Sequence, residues 1–177
     1  MIMHNKQRGI ALVISMIMLL MMTLLGVSAM KTSQMEEKMA GNSRDVTLAF
    51  QAAETGLRDA EVWLENQTTE PVATSTGANR VWTFNAPDPT TTNAVNWWQE
   101  RNQTWWLNSA QAYATAMANV NTVPYSVIEY KQFIRDDLGV GSGGPETGRT
   151  YYQVTARGTG GSDQARILVQ STTARRY

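Results

Sequence analysis

The sequence contains no cysteine and only one histidine, His4, which stands ahead of the first long apolar run. These absences exclude a cysteine nucleophile, a disulfide bond and a zinc site built from cysteine and histidine. They also leave no histidine in the body of the chain for a Ser-His-Asp triad. Paired carboxylates need neither residue, but the 15 acidic residues show no spacing that supports such catalysis. We therefore predict that the protein is not an enzyme and that it holds no metal or cofactor.

The chain also lacks an excess of charge of either sign, because 15 basic residues balance 15 acidic ones. Nucleic-acid binding depends on many positive charges that neutralise phosphates, so this balance argues against a nucleic acid as the main partner. At 177 residues, the chain has enough material for one modest globular domain beyond its apolar N-terminal segment.

Charged residues are absent from a stretch of membrane length near the N-terminus. Residues 10–30 carry no charge, and as a helix they would span about 30 Å, the thickness of the hydrocarbon core of a bilayer. Lys6 and Arg8 precede this stretch, which predicts a cytoplasmic N-terminus and places everything after Lys31 outside the cytoplasm. An uncleaved anchor and an ordinary signal peptide cut near Val27-Ser28-Ala29 remain alternatives, although the run is long for a cleaved signal.

The helical pattern continues beyond the apolar run without a proline or a loop signature. Apolar residues recur at spacings of three, four or seven, which predicts an amphipathic helix over residues 31–66 with this apolar face: Met35, Met39, Val46, Phe50, Ala53, Leu57, Ala60 and Leu64. The segment 66–69, followed by Pro71, predicts the end of the helix. The apolar and amphipathic segments are therefore expected to form one rod.

Segments at both ends of the chain resemble a known protein family. The segment RGIALVISMIMLL is similar to the signal of type IV pilins, in which a prepilin peptidase cuts after the glycine and the apolar segment stays on the mature protein. The resemblance implies cleavage between Gly9 and Ile10 and N-methylation of Ile10. Residues 23–64, YSVIEY and the C-terminal YYQVTARGTGGSDQARILVQSTTARRY resemble the PilX-type minor pilins.

This resemblance implies a fold, an organisation of the chain and a set of partners. The fold is α+β and type IV pilin-like, with a long N-terminal helix packed on a small antiparallel β-sheet. Residues 1–9 would be the leader, 10–30 the transmembrane or filament-core helix, 31–66 its amphipathic continuation and 67–177 the periplasmic head. The expected partners are the prepilin peptidase, the inner membrane, other minor pilins, the major pilin and a tip adhesin.

One position departs from the general pilin pattern. Most pilins have glutamate at the fifth mature position, where it neutralises the N-terminal amine of the subunit assembled before it, but the fifth residue counted from Ile10 is Ile14. A buried carboxylate without a partner is costly in a membrane. A subunit without this glutamate needs no neighbour ahead of it, which favours the first position in a filament. The alternative is that Ile14 is an ordinary lipid-facing residue.

The C-terminal part of the head has the pattern of an antiparallel sheet. Residues 127–133 alternate in a β-rich segment, which predicts a strand. The segments TYYQVTARG and QARILVQST, separated by TGGSD, predict a hairpin whose glycines supply the positive φ angles of the turn. We expect three antiparallel strands to pack against the head half of the long helix.

The middle of the chain concentrates four tryptophans in two pairs: Trp97, Trp98, Trp105 and Trp106. As exposed pairs they would form a surface aromatic patch for sugar binding or adhesion. The near-helical spacing of Trp98, Trp105 and Tyr113 favours packing in the core instead. Residues 90–93 are a candidate helix start, and Asn102 is a candidate boundary between two short helices.

A glycine-rich segment, residues 136–148, joins the first predicted strand to the hairpin. It lacks the strand, the helix and the Lys-Ser/Thr pair of a P-loop, so phosphate binding is not predicted. Asp136, Asp137 and Glu146 offer oxygen ligands for calcium, but their spacing does not fit an EF-hand. A flexible hairpin loop is the better interpretation.

The sequence therefore predicts a structural protein, a minor pilin that primes or caps the assembly of a type IV pilus and supports twitching motility and adhesion. Before assembly it would cross the inner membrane once, with its head in the periplasm, and after assembly it would lie in the pilus, at the tip. Two alternatives remain: a pseudopilin of a type II secretion system, and a membrane-anchored periplasmic carbohydrate-binding module that uses the tryptophan pairs.

Overall fold

A computed structural model describes residues 8–136 and 147–177. Over these residues the chain forms helices and strands in this order: α1 (Arg8–Glu65), β1 (Val81–Thr83), α2 (Trp97–Glu100), α3 (Gln103–Ser109), β2 (Gln111–Ala112), β3 (Tyr125–Arg135), β4 (Gly148–Thr159) and β5 (Arg166–Arg175). The chain divides into two compact units, Met1–Ser43 and Arg44–Tyr177.

The described part of the first unit is the N-terminal portion of α1. Its large apolar side chains from Ile10 to Met30 are 48–72% exposed, so they lie outside any core of the described residues. Two polar side chains of this stretch are satisfied within the helix, because the Ser15 and Thr23 hydroxyls donate to backbone carbonyls one turn earlier at 2.9 and 2.8 Å. A helix that satisfies its own polar groups in this way is compatible with an apolar environment.

The second unit contains a mixed five-stranded sheet. β3, β4 and β5 are antiparallel neighbours in that order, and they confirm the predicted strand and hairpin. The sheet is larger than the expected three strands, because β1 and β2 pair along the other edge of β3, β1 in parallel and β2 antiparallel. β1 pairs Val81 with Ile128 in a long-range register that no local sequence pattern reveals.

The head half of α1 packs against one face of this sheet through small side chains. Ala49, Ala52 and Ala53 are fully buried, and the backbone of α1 at these residues lies directly over Gly158 of β4. A Cβ atom at position 158 would collide with that backbone, so only glycine permits the close approach. Further along α1, larger side chains form the main hydrophobic cluster with the sheet: Leu57, Ala60, Leu64, Val81, Ile128, Tyr152, Val154 and Ala156.

The structure buries only the C-terminal part of the predicted apolar face of α1. Its C-terminal members are 0–7% exposed: Ala53, Leu57, Ala60 and Leu64. Its N-terminal members are 47–63% exposed: Met35, Met39, Val46 and Phe50. The sheet ends near Asp45, which accepts hydrogen bonds from the backbone and hydroxyl of Ser162 in the turn between β4 and β5. The sheet therefore covers only the later part of the face.

The end of α1 agrees with the sequence-based prediction. The helix stops at Glu65, and the Gln67 side-chain amide donates to the carbonyl of Trp63 at 3.0 Å, which satisfies an acceptor of the last turn. The Arg175 guanidinium donates to the carbonyl of Glu65 at 2.5 Å. The end of β5 therefore holds the C-terminal end of α1.

The opposite face of the sheet carries a second hydrophobic core. Adjacent strand residues alternate between the two faces, so that Val81 joins the α1 cluster whereas Trp82 lies on the other side. Trp82 packs there with Trp97, Trp106 and Val127. The head is therefore layered, with α1 on one face of the sheet and the tryptophan-rich segment on the other.

Short helices α2 and α3 position the tryptophans of this second core. Asn102 does divide them, since its side chain accepts a hydrogen bond from the backbone N–H of Trp105 at 2.9 Å and so caps α3. The candidate helix start at residues 90–93 is wrong, because α2 begins at Trp97 after Asn96. The Asn93 side chain instead accepts from the backbone N–H two residues on, at 3.0 Å, and forms a local turn that competes with a helix.

Candidate functional site

The predicted processing site lies at the start of α1. Gly9 and Ile10 are helical residues, Ile10 is 63% exposed and Ile14 is 52% exposed. A Cβ atom at position 9 would meet nothing within 4 Å, so no neighbouring group of the described chain crowds this position. Within residues 8–136 and 147–177, α1 is the one helix long and apolar enough to cross a membrane. Its N-terminal apolar surface is the kind that a bilayer or neighbouring subunits must cover.

The four tryptophans form a packed cluster rather than an open platform. Trp97 and Trp106 are 1% exposed, and Trp98 and Trp105 are half-buried. Neighbouring rings lie 5.4–5.6 Å apart between centroids, mostly in the edge-to-face or tilted arrangements that aromatic pairs prefer. The tryptophans buried in the core are therefore Trp97 and Trp106, whereas Trp98, Trp105 and Tyr113, whose spacing predicted core packing, are only half-buried. A surface patch that offers all four ring faces to a sugar does not form.

A buried carboxylate on β3, Glu129, joins the tryptophan cluster to the sheet. Glu129 is 1% exposed, and its two carboxylate oxygens accept hydrogen bonds from the backbone N–H of Asn85 and from the indole N–H of Trp97, both at 3.0 Å. Burial raises the pKa of Glu129 above the usual value for glutamate, and these two hydrogen bonds oppose the rise. The carboxylate thereby holds the segment between β1 and α2 against the face of the sheet opposite α1.

Glu129 escapes sequence reasoning because a charged residue in an alternating strand is normally assigned to the solvent side. The sequence feature that could have indicated Glu129 is the need of buried indole N–H groups for a hydrogen-bond acceptor. A tryptophan buried in a core needs a partner for its indole N–H, and an acid on a strand beside a tryptophan-rich segment supplies one. Only the long-range fold shows that Trp97 is the tryptophan that Glu129 meets.

A surface pocket of about 440 Å³ lies beside this cluster in the second unit. Trp63, Arg80, Trp82 and Gln111 are among the residues that line it. Arg80 forms an ion pair with Asp59, and its guanidinium carbon lies 5.1 Å from the centroid of the Trp63 ring. The charged group of this pocket is therefore already neutralised within the head.

The glycine-rich segment 136–148 connects β3 to β4, and its residues 137–146 lie outside the described residues, with the calcium candidates Asp137 and Glu146 among them. Asp136, the third candidate, forms an ion pair with Arg176 at 2.5 Å. Among the residues that the structure does describe, no group of three or more histidine, cysteine or acidic side chains is arranged to hold a metal ion.

The arrangement of the described residues defines a class of protein. A long N-terminal helix begins with an exposed, charge-free stretch, and its later part packs on a small mixed sheet, which is the architecture of a type IV pilin. A family profile described as PilX N-terminal matches residues 8–58. A second, described as type IV pilus assembly protein PilX C-terminal, matches residues 63–175. No curated protein and no solved structure matches the chain.

Together the two profiles cover nearly the whole chain, which therefore belongs to the PilX family of type IV pilus assembly proteins. Membership implies a structural pilin that interacts with other pilins and with the pilus machinery. The single apolar N-terminal helix fits a protein that is anchored in a membrane and then incorporated into a pilus.

Proposed function

We propose that the protein is a minor pilin that primes or caps the assembly of type IV pili and thereby supports twitching motility and adhesion. The observation that carries this proposal is the combination of the family assignment with an N-terminal helix whose apolar side chains remain uncovered over residues 10–30. Such a surface has two natural environments in this family, the bilayer before assembly and the core of the fibre afterwards.

The proposal includes a processing step. Prepilin peptidase removes residues 1–9 after Gly9, and the new N-terminal residue Ile10 is then methylated. Before assembly, the protein crosses the inner membrane once with its N-terminus in the cytoplasm and its head in the periplasm. No group of residues 8–136 or 147–177 crowds position 9, which supports access by the peptidase.

Ile14 is the basis for placing the subunit at the tip. An uncharged side chain at the fifth mature position offers nothing to neutralise the N-terminal amine of a subunit ahead of it. It also spares a leading subunit the cost of a buried carboxylate without a partner. The subunit would therefore join other minor pilins, above the major pilin and below a tip adhesin.

The exposed part of the amphipathic face supplies a surface for these neighbours. Met35, Met39, Val46 and Phe50 continue the apolar stripe of α1, yet the sheet does not cover them. In a fibre, such residues gain from packing against helices of adjacent subunits because that packing removes apolar area from water. This arrangement gives the head-proximal part of α1 a role in assembly as well as in folding.

Mass spectrometry of the mature N-terminus tests the processing step. We expect a chain that begins at methylated Ile10, and we expect Gly9→Val to retain the leader because a β-branched side chain at the scissile position restricts the backbone and adds bulk. A mature chain that begins at Met30 would refute processing at Gly9. Detection of the subunit in sheared pili would separate a minor pilin from a type II secretion pseudopilin.

Imaging of labelled heads on sheared pili tests the tip position. The wild-type label should be confined to fibre ends. In Ile14→Glu the new carboxylate has no amine ahead of it at the tip, so the subunit should move into shaft positions or the number of pili should fall. A wild-type label spread along the fibre would make Ile14 an ordinary apolar position and the protein a sparse shaft component.

A further inference from the structure

The two edges of the sheet differ in how they are protected. Beyond β3, the edge consists of the three-residue β1 and the two-residue β2, and such short strands leave few unpaired backbone groups. Strand β5 forms the other edge with 10 residues, which pair with β4 in one register without a bulge. Among residues 8–136 and 147–177, no strand pairs with the outer side of β5, which is therefore the long free edge of the head.

The backbone groups of alternate β5 residues point away from β4. The N–H of Gly160 donates to the carbonyl of Ala165 at 3.2 Å at the start of the hairpin, and bonded and non-bonded pairs alternate from there along the two strands. The next bonded pair is therefore Gly158 with Ile167. The residues whose N–H and C=O groups face the free edge are Arg166, Leu168, Gln170, Thr172 and Ala174.

Strand β5 carries none of the usual protection against pairing at this edge. Natural edge strands are blunted by charged side chains, proline, bulges or short length. Residues 167–174 read ILVQSTTA and contain no charge, proline or glycine, and Leu168 among them is 40% exposed. A long, uncharged edge of this kind is a template to which an extended segment of another chain can add a strand.

The helix above this edge determines which charge an added strand should carry. The Glu61 carboxylate accepts a hydrogen bond from the Ser171 hydroxyl at 2.6 Å, so the Glu61 side of α1 lies over β5. Helical periodicity places Glu54, Arg58 and Glu65 on the same side, which is therefore negative overall. An added strand would turn alternate side chains toward this side of α1, and electrostatic complementarity favours lysine or arginine at those positions.

A second copy of this chain does not have the required chemistry. Antiparallel pairing of two β5 strands would bring Arg166 of each copy toward Arg175 of the other, and parallel pairing would bring each arginine toward its own equivalent. Like charges meet in both arrangements and oppose the pairing. The middle of β5 also has no basic residue to meet the acids of α1. The segment that fits this edge therefore belongs to a different chain.

We propose that the free edge of β5 pairs with an extended, basic segment of another pilus subunit, which adds a strand to the sheet. The inference rests on the proposed function, which supplies such subunits as neighbours. Main-chain hydrogen bonds to the outward groups of β5 would give affinity, and the acids of α1 would select lysine or arginine at alternate positions of the segment.

A photo-crosslinking amino acid at position 168 of the full-length protein in piliated cells tests the pairing. Adducts are measured in membranes and in sheared pili for the wild type, for Thr172→Pro and for the control Thr172→Ala. Proline at position 172 removes an N–H that points away from β4, so it blocks the edge and leaves the β4–β5 ladder intact. We expect an adduct with a different pilin-type subunit, a decrease of about tenfold in Thr172→Pro and no comparable decrease in Thr172→Ala.

Sequencing of the adduct and a charge exchange test the chemistry of the segment. The cross-linked segment should contain lysine or arginine. Glu54→Lys should lower the adduct yield, Glu54→Asp should retain it, and replacement of the identified basic residue by glutamate should restore the yield in Glu54→Lys. A segment without basic residues, or equal yields in the wild type and Glu54→Lys, would overturn the inference of a basic partner.

Thermal unfolding of the full-length protein in detergent separates association from folding. Thr172→Pro should unfold close to the temperature of the wild type, and a large decrease would show that the Thr172 N–H bonds within the head, which would overturn the free edge. Equal adduct yields in the wild type and Thr172→Pro, or no adduct with a different pilin-type subunit, would overturn the pairing. Adducts with such a subunit in membranes, without any protein in sheared pili, would support the pairing and contradict the proposed function.

Discussion

Leu24 and Leu64 lie on the same helix, yet Leu24 is 62% exposed and Leu64 is fully buried. The residue type and the helical conformation are the same, so the difference comes from what each part of α1 meets. Leu64 packs against strands of the second unit, whereas Leu24 belongs to a stretch that no described element covers. The apolar surface around Leu24 is therefore available for a bilayer or a fibre, whereas the apolar surface around Leu64 is used for folding.

Removal of residues 1–30 should have the largest effect. It should abolish association with membranes and have little effect on folding. A fragment that begins at Lys31 keeps every buried residue of the core and loses the apolar run, so we expect it to be soluble and folded while the full chain sediments with membranes. Fractionation followed by circular dichroism with heating measures both properties. An aggregated fragment without a cooperative transition would show that the head depends on the N-terminal helix.

Leu64→Ala should sharpen the contrast within the second unit. Deletion of a fully buried leucine side chain creates a cavity and should lower the free energy of unfolding of this fragment by about 2–5 kcal/mol. Val62→Ala is the matched control, because Val62 lies on the same turn but is 53% exposed, and its effect should stay within about 0.5 kcal/mol. Urea denaturation of the two variants measures the difference, and equal effects would place the buried face of α1 elsewhere.

Local patterns predict much of this fold. The phase of the α1 stripe at Leu57 and Leu64, the end of the helix before Pro71 and the hairpin of β4 and β5 all follow from periodicity and turn chemistry in the sequence. Each of these features depends on residues close together in the chain, so neighbouring side chains carry the information.

Features that depend on distant pairing are not predictable in this way. Strand β1 has three residues and acquires its place only by parallel pairing with β3. Glu129 and Arg157 both occur in strands with ordinary alternating patterns, and only the tertiary structure shows that Trp97 meets the first and Trp106 the second. The length of the buried part of the apolar face of α1 likewise depends on where the sheet ends near Asp45.

Glu129→Gln tests the second core of the same unit, with a smaller expected effect than Leu64→Ala. The glutamine amide can offer an acceptor to only one of the two donors and places its NH₂ group against the other, so the change should cost about 1–3 kcal/mol of unfolding free energy. An unchanged free energy of unfolding would show that Glu129 does not hold the tryptophan segment.

The pH dependence of this variant follows from the raised pKa of Glu129. The folded state binds the proton more tightly than the unfolded state, so the contribution of this group to stability falls as the pH rises from the usual glutamate pKa through the raised folded value. Glutamine does not titrate, and the cost of the substitution should therefore be largest in acid and decrease across that window. Denaturation curves over a series of pH values measure it, and a cost that grows with pH would contradict the raised pKa.

Phe50→Ala should have the smallest effect on the free energy of unfolding of the isolated head. It tests the boundary between the part of α1 that the sheet buries and the part that stays exposed for assembly. Phe50 is 48% exposed, so truncation removes only part of the contact area of a buried phenylalanine and should cost about 1 kcal/mol or less. If neighbouring subunits cover the exposed apolar stripe, the same change should lower the amount of protein in sheared pili. Val62→Ala again provides the control, because Val62 is exposed to a similar extent but lies off that stripe. Quantitative immunoblots of sheared pili compare the two full-length variants, and equal incorporation would assign Phe50 to the solvent-facing surface of the head rather than to the part of α1 that assembles.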